Sequence, residues 1–493
     1  MIEINAQLHN NSLGYIPKRV TSWAMLTYVA AICCCNILFA SHMLHWQWWF
    51  FGAIEVLGFF FFANRLSKLW IYLKPIHFTQ KLFWTAFFLR SVWVVLSYYL
   101  YKNWTGTAFT IDAGDELFYN EVAQYAAGMM RNGNWNIYSN IQDYSGDIQF
   151  SDMGYPICLT IIYWIFGGSI VVARLIKAIL GAWTAVLMYK FASRNFGEQV
   201  GRMTAIICML MPNLIYYCSF QLKEVEMVFL CILFAERADL LLRKGKLAFM
   251  PTASLMLIPS VMFTIRTALA AVMVMAFFCA LLLSSERIVS WGRRALLLML
   301  ALVFAGVVLT TSTSIGQDVQ QMWRTRGSGQ RAYVEWMAER DDMAGGLNNR
   351  FAKYAGAAVF APMIFTIPFP TMNEVPGQEN QKMIHGGNFV KNILSGCTIA
   401  ALFVLLFSGD WRKYVLPLAI LCGYLVVLVF SNFAQSERFH LPILPFTLMF
   451  AAYGISKMNE VWWIKKYYPY WCALMIVAAI AWNWFKLAGR GMI

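Results

Sequence analysis

The chain has 493 residues, 60% of them hydrophobic and 13% charged, with a formal net charge of +14 at pH 7. Soluble domains carry about 25% charged residues, so this chain has roughly half the usual supply, and its mean hydropathy of +0.55 excludes an ordinary water-soluble globule. The positive charge does not indicate a nucleic-acid partner, because the basic residues fall in short loops between apolar runs and form no single patch.

Apolar runs of about 20 residues, the length that crosses a bilayer core, recur from end to end. The start, "MIEINAQLHNNSLGYIPKR", is polar, and the run after it is long enough to stay in the membrane, so no cleavable signal peptide is expected. Spans are expected near 20–42, 46–64, 82–101, 171–190, 203–220, 224–242, 248–265, 267–284, 294–312, 390–408, 414–431, 439–456 and 469–486. This gives an all-α polytopic membrane protein of about thirteen spans, with re-entrant or surface helices near 155–168 and 355–371. The chain divides into an N-terminal segment with a transmembrane hairpin (1–81), a membrane module with a large loop at 102–154 (82–312), a second large loop (313–389) and C-terminal spans (390–493). The eleven cysteines lie in or beside apolar runs without C-x-x-C spacing, which argues against a disulfide framework and for small packing residues.

Basic residues set the expected topology. Lys18/Arg19, Arg65/Lys68/Lys74/Lys81, Lys190/Arg194/Arg202, Arg237/Arg243/Lys244/Lys246, Arg287/Arg293/Arg294, Arg412/Lys413 and Lys457/Lys465/Lys466 fall on one side, which is then cytoplasmic. The acidic segment 102–154 faces outward, as does 313–389 with Arg324, Arg326, Arg331, Arg340 and Arg350.

In "IDAGDELFYNEVAQYAAGMM" (111–130), Asp112, Asp115, Glu116 and Tyr119 recur at i, i+3, i+4 and i+7 and are expected to share a helix face. Phe118, Val122, Tyr125 and Met129 would occupy another, giving an amphipathic helix on the outer membrane surface. Asp112 as an N-cap, with acids favouring the first turn, explains the same spacing without chemistry. Further ionisable groups stand at outer span ends: Lys223, Glu224 and Glu226 in "SFQLKEVEMVFL", Arg266 in "FTIRTALAAV", and Glu437, Arg438 and His440 in "NFAQSERFHLPILPF". Charges at membrane depth face a partner or a water-filled cavity. Glu55 and Arg90 lie inside spans and are assigned only packing or pairing. Carboxylates facing cations at headgroup depth suit glycosyl transfer from a lipid-borne phosphosugar. A carboxylate takes the acceptor hydroxyl proton, and Arg and Lys hold the departing phosphate.

"DELFYNEVAQYA" after an early span resembles the first external loop of GT-C fold membrane glycosyltransferases, among them bacterial protein O-mannosyltransferase-like enzymes and the aminoarabinose transferase of lipid A. "GYPICLTIIYWIFGGSIVVARLIKAILGAWTAVLMYKFASRNFGEQVGRMTAIICMLMPNLIYYCSFQLKE" is similar to the stretch after that loop in the same enzymes, and "ERFHLPILPF" to their late Arg-Tyr-x-x-Pro-x-x-Pro stretch. The likeness covers 82–284 well and 414–456 moderately. It implies a GT-C-like fold with juxtamembrane helices in the first large external loop, and an inverting transferase on the outer, periplasmic face of a bacterial plasma membrane. It implies Asp115 as general base, with Glu116 beside it and Glu224 opposite; this chain has Lys-Glu where relatives have Asp. By position and charge, Arg266 and Arg438 are expected to hold the carrier phosphate, with Lys223, His440, Asp112 and Tyr119 contributing to substrate binding. The implied partners are a polyprenyl-phosphate sugar donor, a glycan, lipid or protein acceptor, and the bilayer. No cofactor is required, since protein cations supply the positive charge; a divalent metal would be compatible but is not indicated, and no metal ligands are assigned. Two rivals are an O-antigen or polysaccharide polymerase or ligase using a diphosphate-linked donor, which the arginines of 313–389 would suit, and a lipid or solute transporter, which would show broken midplane spans and internal duplication.

Overall fold

The computed structural model describes residues 13–111, 113–146, 148, 150–244, 249–283, 299, 363–430 and 436–493. These form helices and connecting turns, with one isolated antiparallel bridge between Met43 and Asn373. In chain order the principal helices are α1 (Lys18–Leu38), α2 (Trp46–Leu69), α3 (Pro75–Thr105), α4 (Gly114–Arg131), α5 (Ile137–Ser145), α6 (Phe150–Phe166), α7 (Ile170–Phe196), α8 (Glu198–Leu210), α9 (Pro212–Tyr216), α10 (Glu224–Lys244), α11 (Phe249–Ile265) and α12 (Thr267–Leu283). They continue with α13 (Glu379–Met383), α14 (His385–Phe407), α15 (Val415–Phe430), α16 (Glu437–Asn459) and α17 (Trp462–Ala488). The chain is a multi-pass membrane protein: eight of these helices are long and apolar enough to cross a bilayer among the described residues, or nine with the bent pair α8–α9.

The expected spans at 224–242, 248–265 and 267–284 correspond to α10, α11 and α12, which stand outside these eight. Acids crowd both ends of α10, from Glu224 and Glu226 to Glu236 and Asp239, and α11 and α12 have 17 residues each. The span expected at 294–312 lies outside the described residues, as do the loop arginines Arg324, Arg326, Arg331, Arg340 and Arg350. The short helix expected near 155–168 is α6.

Helix α7 packs against α3, α8 and α10, while α16 packs on α14 and α8. α16 is the most enclosed of the candidate spans, and α3 is among the least. Local signals set the ends. Ser169 caps α7 by accepting the Val172 N–H. Gly197, at φ +90°, takes the left-handed turn that ends α7 and starts α8, a conformation that costs glycine little.

The two charges inside spans have defined partners. Pro212 has no N–H, so the carbonyl of Cys208 loses its helical donor and α8 breaks from α9 at 54°. Arg90, buried on α3, fills the gap by donating to Cys208 O (3.3 Å), Met209 O (3.2 Å) and Ala86 O (3.1 Å). Gly181 leaves it room, since a Cβ there would stand 2.6 Å from Arg90 Nε. Glu55, in a π-helical turn of α2, accepts the Gly387 N–H at 3.0 Å in the first turn of α14, where the helix presents unpaired donors.

Candidate active site

Helix α4 opens with Asp115 and Glu116 in its first turn, where the helix dipole favours acids. The two carboxylates part there. Asp115 is 60% exposed, whereas Glu116 is buried. Glu116 accepts the Thr110 hydroxyl (2.7 Å) and the Gln221 N–H (3.0 Å), and lies 3.5 Å from the Arg174 guanidinium. Tyr119 is also buried, edge-on to Tyr155 with ring centres 5.2 Å apart. The single acidic face expected for Asp115, Glu116 and Tyr119 is therefore split. The packing of α4 on α6 draws the buried boundary through that stripe, leaving Asp115 on the wet side. The second expected face is divided too: Val122 is fully buried, while Phe118 and Tyr125 are exposed. Asp112 lies outside the described residues.

Below Glu116 a polar chain fixes the turn that leads into α10. Tyr155 donates to Gln221 (3.2 Å), Gln221 donates to the Tyr163 hydroxyl (3.1 Å), and Tyr163 donates to Asn120 on α4 (2.7 Å). Two residues beyond Gln221 come Lys223 and Glu224. Glu116 thus ties the turn bearing Asp115 to the turn bearing Glu224.

At the start of α16, Arg438 reaches both acids. Its Nη1 donates to Asp115 Oδ2 at 2.6 Å, and its Nε donates to Glu224 Oε1. These partners are 323 and 214 residues away in sequence. Glu224 is 1% exposed, and its second oxygen, Oε2, has no hydrogen-bond partner. The residue lines a cavity with Tyr217, Val225, Val228, Leu441 and, at another wall, Arg90. A buried carboxylate oxygen left unpaired is costly, which marks this wall as the place for a hydrogen-bonding ligand or water.

A second ion pair stands beside the first. Lys223 binds Asp152 of α6 and donates to Ile265 O at 3.0 Å. Burial pulls the Lys223 pKa below the usual lysine value, the Asp152 carboxylate opposes that shift, and the nearby Arg266 charge adds to it. Arg266 lays its guanidinium over the Phe439 ring, 4.6 Å from the centre. Burial, reinforced by Asp152 and Asp115, raises the Tyr119 pKa above its ordinary value. His440 is buried two residues beyond Arg438. Glu437 accepts the Tyr217 hydroxyl (3.0 Å) and the Gln381 amide (2.5 Å).

Of the residues singled out by sequence, Asp115, Glu224 and Arg438 meet directly, with Lys223, Arg266 and Tyr119 beside them. Asp152 and Tyr217 join the site without a signal in the sequence. Asp152 sits in "QFSDMGYP" with no patterned neighbour, and Tyr217 is one aromatic among many. The assembled chemistry is one solvent-facing carboxylate, one enclosed carboxylate, a guanidinium spanning them and an ammonium alongside. Among the described residues, no three of His, Cys, Asp and Glu gather to hold a metal ion.

Residues 383–489 match the model of the Alg9-like mannosyltransferase family, a family of membrane glycosyltransferases of the GT-C type. The matched segment spans α14 to α17 and contains Arg438 and His440. No curated protein and no solved structure gives a match to the chain.

Proposed function

We propose that this protein is a membrane glycosyltransferase that moves a sugar from a polyprenyl-phosphate carrier to an acceptor hydroxyl on the outer face of the plasma membrane. The observation that carries the proposal is the contact of Arg438 with both Asp115 and Glu224. A cation from the segment that matches a mannosyltransferase family meets acids from two distant elements, beside a cavity that reaches among apolar side chains. The match makes a hexose such as mannose the first sugar to test.

Asp115, exposed and close to Arg438, takes the proton of the acceptor hydroxyl. The acceptor oxygen attacks the anomeric carbon from the side opposite the carrier, and the bond from that carbon to the phosphate oxygen breaks. The electron pair leaves with the polyprenyl phosphate, and the anomeric configuration inverts. Arg438, Lys223 and Arg266 neutralise the charge the phosphate gains. In the free protein Asp115 shares Arg438 with Glu224, so an arriving donor phosphate competes with Asp115 for the guanidinium and releases the base. Glu224 keeps Arg438 in place from the enclosed side.

The test is turnover of purified protein, reconstituted in bilayers, with polyprenyl-phosphate mannose. Asp115→Asn should lower sugar transfer by about 10²–10⁴-fold, and near-normal transfer by that variant would overturn the assignment.

A further inference from the structure

The α4–α5 region carries a surface that, beyond Asp115 itself, the transfer step does not use. On α4, Asp115, Phe118, Glu121 and Tyr125 succeed one another at spacings of three, three and four, so they stack along one face; all four are exposed. Tyr125 is 38% exposed, and Tyr144, on α5, is 44% exposed. The two rings lie 5.1 Å apart, and the Tyr144 hydroxyl donates to Glu121 at 3.2 Å, which holds the ring pair in place. From Asp115 to Tyr125 the helix rises about 15 Å, room for more than one pyranose ring.

Charge narrows what can lie there. Residues 111–150 contain six carboxylates and one basic side chain, Arg131, and Arg131 is turned to the Tyr163 carbonyl at 2.5 Å. An acidic strip repels anionic headgroups and chains that bear phosphate or uronate. Aromatic faces flanked by carboxylates suit a neutral sugar: its C–H face stacks on the rings, and its hydroxyls donate to the acids.

We propose that the strip from Asp115 through Phe118 and Glu121 to Tyr125 and Tyr144 binds a neutral oligosaccharide acceptor and delivers its terminal hydroxyl to Asp115. The proposal rests on the transfer function above and names its acceptor class. Several sugar units are engaged at once, with the chain end at Asp115 and the inner units on the tyrosine pair.

The test uses the full chain in lipid nanodiscs with neutral manno-oligosaccharides of one to four units, and a uronate-containing chain of equal length as control. Wild-type affinity should rise roughly tenfold from one unit to four, and the anionic chain should not bind. Tyr125→Ala with Tyr144→Ala should abolish the dependence on length while leaving monosaccharide affinity unchanged. Release of carrier from polyprenyl-phosphate mannose to water, measured on the same samples, should be the same in this variant as in wild type. Affinity independent of length, or a length dependence that survives in the variant, overturns the acceptor strip. So does a fluorotyrosine at position 144 that responds to headgroup spin labels and not to oligosaccharide, because the strip would then face lipid. Length-dependent binding of the oligosaccharides with no transfer of mannose to them from polyprenyl-phosphate mannose would instead overturn the transfer function and leave the strip standing.

Discussion

Two of the ion-paired clusters among the described residues are built differently. In one, Arg194 binds Glu236 at 3.0 Å and Asp239 at 2.8 Å, Arg243 binds Asp239 at 2.9 Å, and Asn195 joins them. Its members come from the adjoining helices α7 and α10, and its two acids are nearly buried. In the other, Arg438 draws together residues more than 200 positions away, one of its acids faces solvent, and the second acid keeps an unpaired oxygen on a cavity wall. The first cluster fastens neighbouring helices. Glu236 of the first cluster also leaves an oxygen, Oε2, without a hydrogen bond, so the second cluster differs in joining distant elements, in having a solvent-facing acid and in bordering a cavity.

The largest expected effects should separate the two by activity. Asp115→Asn should lower transfer by about 10²–10⁴-fold, and Glu224→Gln, which removes the charge that holds Arg438, should lower it as well. Asp115→Asn should barely change thermal stability, because an exposed ion pair contributes only about 0–1 kcal/mol. Arg438→Lys keeps the charge but loses the forked geometry, and it should cost about 10²-fold in transfer rate with the melting curve nearly unmoved. Arg194→Ala should do the reverse: removing one partner from a mostly buried cluster should destabilise the fold by about 3 kcal/mol, while turnover per folded molecule is kept. A rate loss with Arg194→Ala and none with Arg438→Lys would exchange the roles of the two clusters.

A smaller effect concerns pH. Burial, opposed by Asp152, holds the Lys223 pKa below the usual lysine value. In the proposed mechanism this ammonium helps to neutralise the phosphate, so its loss as pH rises through that lowered pKa should make transfer fall at a pH below the ordinary lysine range. Lys223→Arg should move the alkaline limb upward, which a pH–rate profile would detect.

Much of this is legible in the sequence, and the limits have physical causes. Span positions derive from apolar runs, and α1, α2, α3, α7 and α14 through α17 stand close to where those runs put them. Charges that are expensive near a membrane point to sites, and Asp115, Glu224 and Arg438 stand out that way. Helical spacing places Asp115, Glu116 and Tyr119 on one stripe but cannot say which edge α6 will cover, so Glu116 is buried while Asp115 faces solvent. Asp152 and Tyr217 gain meaning only from contacts with Lys223 and Glu437, which no local pattern encodes. Likewise, Arg90 answers a carbonyl freed by a proline on another helix.

The most direct measurement is a double-mutant cycle on sugar transfer with Asp115→Asn, Arg438→Ala and the combined variant, using reconstituted protein and polyprenyl-phosphate mannose. If the two side chains work as one centre, the double variant should be no slower than the slower single variant, because the losses of coupled residues do not multiply. Independent losses that multiply, or turnover near wild type in both single variants, would contradict the account.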